Sequence, residues 1–217
     1  MKNILLTSLI ALSTFLSATA QKFEGEITYK ISYSDLPAEM EMYKAMLPAK
    51  SVILMKNEKS VTEQNTMGIM KMKIISNSKT MKTSILMDMM GKKIVMESDS
   101  DSEETKSDLE VTKTSETKTI AGYKCKKAIV KDKDGNEMVY WYTKDLPGYK
   151  GKNIPNLDLD GFPMEFEAKQ ETMSMTMSVT SVVKKSVSDS EFDIPADYEK
   201  KTPEEMKKMM GGMMGGM

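Results

Sequence analysis

The chain has no histidine and no arginine, and only one cysteine. Each absence excludes a class of chemistry. Without histidine, the commonest general base, the commonest metal ligand and the usual serine or cysteine triads are gone. A Ser–Lys dyad is the nucleophilic arrangement that remains. Ser-x-x-Lys occurs at Ser76–Lys79, Ser115–Lys118 and Ser181–Lys184. In a chain rich in both residues, and with no Gly-rich oxyanion turn beside any of them, these spacings read as coincidence. The expectation is a protein that is not an enzyme and needs no cofactor. Without arginine there is no planar fork for bidentate grip on phosphates or carboxylates. With Cys125 alone, no intramolecular disulfide can form in any compartment. Cys125 lies in an expected strand and reads as a small buried hydrophobe rather than a reactive thiol. Nor is there an excess of positive charge: 31 basic residues face 32 acidic ones. Overall charge therefore recommends neither nucleic acid nor an anionic membrane as partner.

What is present begins with an export signal over residues 1–20. Lys2 forms the positive region, Ile4 to Leu16 an apolar core relieved by Ser8, Ser13 and Thr14, and Ala18-Thr19-Ala20 a small-x-small cleavage site. The core is shorter than the roughly 20 residues a spanning helix needs. Gln21 stands where a lipid-modified protein would carry cysteine. The expected product is soluble, periplasmic or secreted, with no membrane span. Cleavage leaves 30 basic against 32 acidic residues, a net −2.

Residues 21–200 read as a single β-rich domain. Phe23 to Tyr33 alternates strictly, with Phe23, Gly25, Ile27, Tyr29, Ile31 and Tyr33 on one face. Pro37 and Pro48 bracket a segment in which Met40, Tyr43 and Leu47 have helical spacing, and a short amphipathic helix is expected there. A meander follows: 51–56, 60–66, 67–76, 79–87 and 92–97. Residues 97–108 (ESDSDSEETKSD) read as a solvated acidic loop. Strands at 109–118, 124–130 and 137–143 come next, the last two joined by a turn marked by Asp134-Gly135. Residues 145–161, rich in Pro and Gly, are expected to be irregular. Residues 164–169 and 172–183 follow as strands. In the second, Met173, Met175, Met177 and Val179 alternate with Ser174, Thr176, Ser178 and Thr180, a period of 2 that overrides methionine's helix propensity. Thr202-Pro203-Glu204-Glu205 opens a C-terminal helix with a capping box, ahead of a flexible Met/Gly tail within residues 201–217. The fold class expected is mostly β: a curved antiparallel sheet or incomplete barrel with a short internal helix and a C-terminal helix.

Three segments, Thr119-Ile-Ala-Gly-Tyr-Lys-Cys-Lys-Lys-Ala128, Trp141-Tyr-Thr-Lys-Asp-Leu-Pro147 and Leu159-Asp-Gly-Phe-Pro-Met-Glu165, stand in a fixed order. They lie between the opening strand and Phe192-Asp-Ile-Pro195. This order resembles the exported bacterial family catalogued as domain of unknown function 4412, across roughly residues 22–198. The layout is also similar to the GLPGLI family, although Gly161-Phe-Pro-Met departs from that signature. The resemblance implies a fold like the lipoprotein-localisation carriers (LolA/LolB-like). These have a curved antiparallel sheet with helices on its concave side and hold acyl chains there. It carries over no catalytic residue.

Methionine is over-represented, 24 against 5 phenylalanines, and three readings stand. Met70, Met72, Met173, Met175 and Met177 fill a core. Alternatively, together with Trp141, they line an adaptable apolar cavity for a lipid-like ligand or a lipidated protein partner. Or the tail residues Met206, Met209, Met210, Met213, Met214 and Met217 gather thioethers for a soft ion such as Cu(I). Trp141, between Tyr140 and Tyr142, either lines a ligand site or packs a central strand. Asp132, Asp134, Asn136 and Glu137 only superficially resemble a calcium loop, since the glycine is misplaced and no bidentate glutamate follows at the required distance.

Overall fold

A computed structural model describes residues 23–66, 70–89, 91–98, 109–148, 159–170, 173–202 and 204–205. The alternation around Ile27 forms strand β1 (Glu24–Ser34), in which Gly25, Ile27, Tyr29 and Ile31 are buried and Lys30 and Ser32 exposed. Five strands of the meander follow: β2 (Lys50–Lys56), β3 (Lys59–Thr66), β4 (Met70–Asn77), β5 (Lys82–Met89) and β6 (Lys92–Ser98). Then come β7 (Glu110–Ile120), β8 (Tyr123–Lys131), β9 (Glu137–Thr143), β10 (Phe162–Gln170), β11 (Met173–Lys184) and the two-residue β12 (Glu199–Lys200).

All join one sheet in the order β12-β6-β5-β4-β3-β2-β1-β11-β10-β9-β8-β7. Every neighbour pairs antiparallel except β12, which runs parallel to β6. The turns follow local chemistry. Ala121 and Gly122 both have positive φ (47° and 84°) between β7 and β8, the backbone a tight two-residue hairpin requires. At the β8–β9 turn, Gly135 has φ 83°. The Asp132 carboxylate there accepts the Asp134 and Asn136 amides, so these residues build a turn rather than an ion site.

The sheet is bent and does not close. One buried cluster unites Ile27, Tyr29, Ile53 and Met55 of β1 and β2 with Val179 and Phe162, and also with Ile120 and Cys125 at the β7–β8 end. Strands β11 and β7, four places apart in the sheet order, nevertheless approach one another, which requires the sheet to bend. The first and last strands, β12 and β7, do not pair with each other.

The chain after β11 straps the opposite face. The Lys185 amide donates to the Glu24 carbonyl, and the Val187 amide to Glu24 Oε1. Val187 and Phe192 then pack on Val61, Leu54 and Ile75. The strap ends as β12 on the β6 edge, where the Lys201 amide reaches the Val95 carbonyl.

The expected internal helix is corrected. The segment holds a four-residue α-helix, α1 (Ala38–Glu41), and a 3₁₀ turn over Lys44–Met46. Met42 and Tyr43 are 75% and 53% exposed. So short a helix, followed by an exposed Tyr43, lacks the packing that sustains longer helices in proteins. At the other terminus the capping box forms: the Thr202 amide donates to Glu205 Oε2 and the Glu205 amide to Thr202 Oγ1. Of the expected C-terminal helix only Glu204 and Glu205, both helical, are among the described residues, and the rest lies outside them. Among the described residues no helix is long and apolar enough to cross a membrane.

Candidate functional site

In a strand, alternate residues share a face, and directly paired residues of neighbouring strands share it too. The registers therefore sort the side chains. One row runs Tyr29–Ser51–Gln64–Met72–Met87–Ile94 across β1 to β6. Beside it Met70 pairs with Met89, and Met96 with Ile85. On the far side of β1, Ile31 pairs with Met177 and Tyr33 with Met175, and Met173 follows by alternation. Met70, Met72, Met173, Met175 and Met177 thus share one face, with Met87, Met89 and Met96 joining them. The buried cluster around Ile27 and Tyr29 lies on the same face, so the sheet bends toward it. These methionines are half-buried, whereas Ile27, Ile31 and Val179 between them are fully buried. The two groups sit four to six places apart in the sheet order, on β4–β6 and on β11.

Trp141 is out of register with them. Tyr140 pairs with Phe166, which pairs with Met177, so Tyr140 belongs to the methionine face. It stacks on Phe166 at 5.4 Å, and burial raises its phenol above the ordinary range. Trp141, the next residue, faces the other way and pairs with Glu165 and Lys127. Lys118 Nζ lies 4.4 Å from its ring centroid and 2.5 Å from Glu165 Oε1. Lys127 Nζ lies 6.0 Å from the ring, and Ser178 Oγ donates to Glu165 Oε2. The indole is flanked by these two ammonium groups and packs against the buried cluster that contains Tyr29, Phe162 and Cys125, as Met177 also does.

Cys125 is fully buried, and burial raises its thiol above the usual range. A thiol in that state is not a nucleophile. Among the described residues no group of three or more His, Cys, Asp or Glu side chains is placed to hold a metal ion. The tail methionines Met206, Met209, Met210, Met213, Met214 and Met217 lie outside the described residues. Sequence reasoning placed Met70, Met72 and the β11 methionines correctly by alternation. Met87, Met89 and Met96 carry the same signal, a period of 2 in β5 and β6.

No curated protein matches the chain. A solved structure of PNGF-II in space group C2 shares the fold, with a TM-score of 0.57 at 20% identity, over 87% of this chain and 33% of that one. This chain therefore spans about a third of the length of that protein. The model of the domain of unknown function DUF4412 matches residues 16–198, which takes in β1 to β11 and the strap as far as Tyr198, and the chain belongs to that family.

Proposed function

We propose that the protein is an exported, non-enzymatic binding protein of the cell envelope, periplasmic or secreted after cleavage behind Ala20. In this reading its sheet works as the lipoprotein-localisation carriers do. It holds an apolar, lipid-like ligand or a lipidated partner against the methionine face. The observation that carries the proposal is the register. It gathers Met70, Met72, Met87 and Met89 at one end of the concave face and Met173, Met175 and Met177 at another, all half-buried. A filled core would bury them as fully as Ile27 or Val179. Unbranched, polarizable thioether side chains suit a surface that must accommodate flexible chains.

The test uses the mature protein purified without detergent. Organic extraction and mass spectrometry are expected to find a co-purifying lipid, and a fluorescent fatty-acid probe is expected to bind saturably. The double variant Met72→Gln/Met175→Gln keeps side-chain length and adds polarity. It should weaken the probe several-fold while leaving the circular-dichroism spectrum unchanged. A protein that carries no lipid and binds no probe overturns the proposal.

A further inference from the structure

A near-neutral net charge conceals a local imbalance on the face opposite the methionines. Lys30 of β1 and Lys50 of β2 are directly paired. The Ile31 amide donates to the Ala49 carbonyl just beside them. That makes Lys30 and Lys50 a non-hydrogen-bonded pair, the kind whose Cα atoms approach to about 4.5 Å and whose side chains stand closest. Like charges directly opposite one another destabilise a sheet. Other cross-strand lysines have a carboxylate at hand: Lys73 pairs with Glu63 and Lys131 with Glu137, with ion-pair distances of 3.7 and 2.7 Å, and in the other directly paired couple, Lys56 and Lys59, both reach Asp189, at 3.2 and 4.0 Å. Among the described residues neither Lys30 nor Lys50 has such a partner.

Lys50 and Asn65 line an open depression of about 310 Å³ together with Ala49, Val52 and Glu63. Glu63 would repel an anion, but Lys73 offsets its charge. Lys71, paired with Asn65, is in turn paired with Asp88.

We propose that Lys30, Lys50 and Asn65 form a binding site for a phosphate-class oxyanion, separate from the methionine face. A dianion between the two ammonium groups replaces repulsion with charge-assisted hydrogen bonds. The Asn65 amide adds a neutral donor. Lysines act as mobile point charges without a fixed fork, so the site suits a tetrahedral group that can rotate rather than a planar carboxylate. The group is either free phosphate or the phosphate of a lipid headgroup.

The test compares thermal unfolding of the mature protein with Lys50→Gln and with Lys184→Gln, an exposed lysine outside the site. Inorganic phosphate replaces sodium chloride at constant ionic strength. Without phosphate, Lys50→Gln should be at least as stable as the parent, because a repulsion is gone. With phosphate, the parent and Lys184→Gln should gain about 2 °C or more over Lys50→Gln, the rise expected of a ligand held well above its Kd. An equal phosphate response in all three proteins overturns the site. Cosedimentation with phosphatidylglycerol-containing vesicles then separates the sources. Binding by the parent that Lys50→Gln loses assigns the site to headgroups, and a phosphate response without vesicle binding assigns it to the free ion.

Discussion

Replacing Gly161 by alanine tests how closely β10 approaches β9. A Cβ at Gly161 would lie 2.0 Å from the Thr143 carbonyl oxygen, 2.7 Å from its carbon and 3.1 Å from the Lys144 nitrogen. All three atoms are backbone, so no side chain can swing aside. Ordinary contact begins at 3.4 Å, and the two segments would have to part by about 1.4 Å. Parting breaks the Phe162–Thr143 pairing. It also lifts Phe162, fully buried, from its place beside the Tyr29 ring. Losing one or two ladder hydrogen bonds, at about 0.5–1.5 kcal/mol each, together with overpacking at about 1–3 kcal/mol, gives a destabilisation of about 3 kcal/mol. For a chain of this size that lowers the melting temperature by about 6–12 °C. Gly135→Ala is the control: its φ is 83° and no atom lies within 4 Å of the added Cβ. It therefore carries only the left-handed backbone cost of about 1 kcal/mol. Urea unfolding followed by circular dichroism measures both. If Gly161→Ala is no less stable than Gly135→Ala, the close approach of the two strands is wrong.

Three more perturbations probe other parts of the fold. Phe192→Ala removes the apolar anchor of the strap on Val61, Leu54 and Ile75. It should cost about 3 kcal/mol in urea unfolding and speed amide exchange at Lys201, whose bond to Val95 depends on the strap; unchanged exchange would contradict this role. Ser51 is buried and its Oγ has no hydrogen-bond partner, so Ser51→Ala should be neutral or stabilising by about 1 kcal/mol, and a clear loss in calorimetry would reveal a partner. The Asp197 carboxyl is lowered chiefly by its hydrogen bond from Lys93, and Asp132 chiefly by that from the Asn136 side chain. A depressed folded pKa gives stability that is present above the ordinary carboxylate range and is lost as pH falls through the lowered value. Both groups should titrate by NMR below their usual range. Added salt should raise the apparent pKa of Asp197, whose partner is charged, more than that of Asp132; an equal shift would mean that the Lys93 charge contributes nothing.

Strands β1 and β11 are legible because each keeps a polar and an apolar side. Phe23 to Tyr33 and Met173 to Val179 show the period of 2 without interruption, and both became strands where expected. The internal helix is short for the complementary reason. Spacing alone placed Met40, Tyr43 and Leu47 on one face, but a helical face matters only when something packs against it, and Tyr43 is left exposed. Trp141 is open between two roles in the sequence because apolar bulk occurs on both sides of β9. The Lys30–Lys50 pair was invisible beforehand, since residues 20 apart meet only through the register of β1 and β2.

The sequence by itself determined the elements: alternation, turn residues such as Gly122 and Gly135, and the capping box at Thr202 are local, and local chemistry is written in order along the chain. The tertiary structure decided which elements meet. It paired β1 with β11, some 150 residues later, and bent the sheet so that β11 and β7 approach one another. It also carried the strap across the outer face to the β6 edge. Those choices depend on burying faces that many arrangements could bury equally well one strand at a time, and only the complete set of contacts distinguishes them.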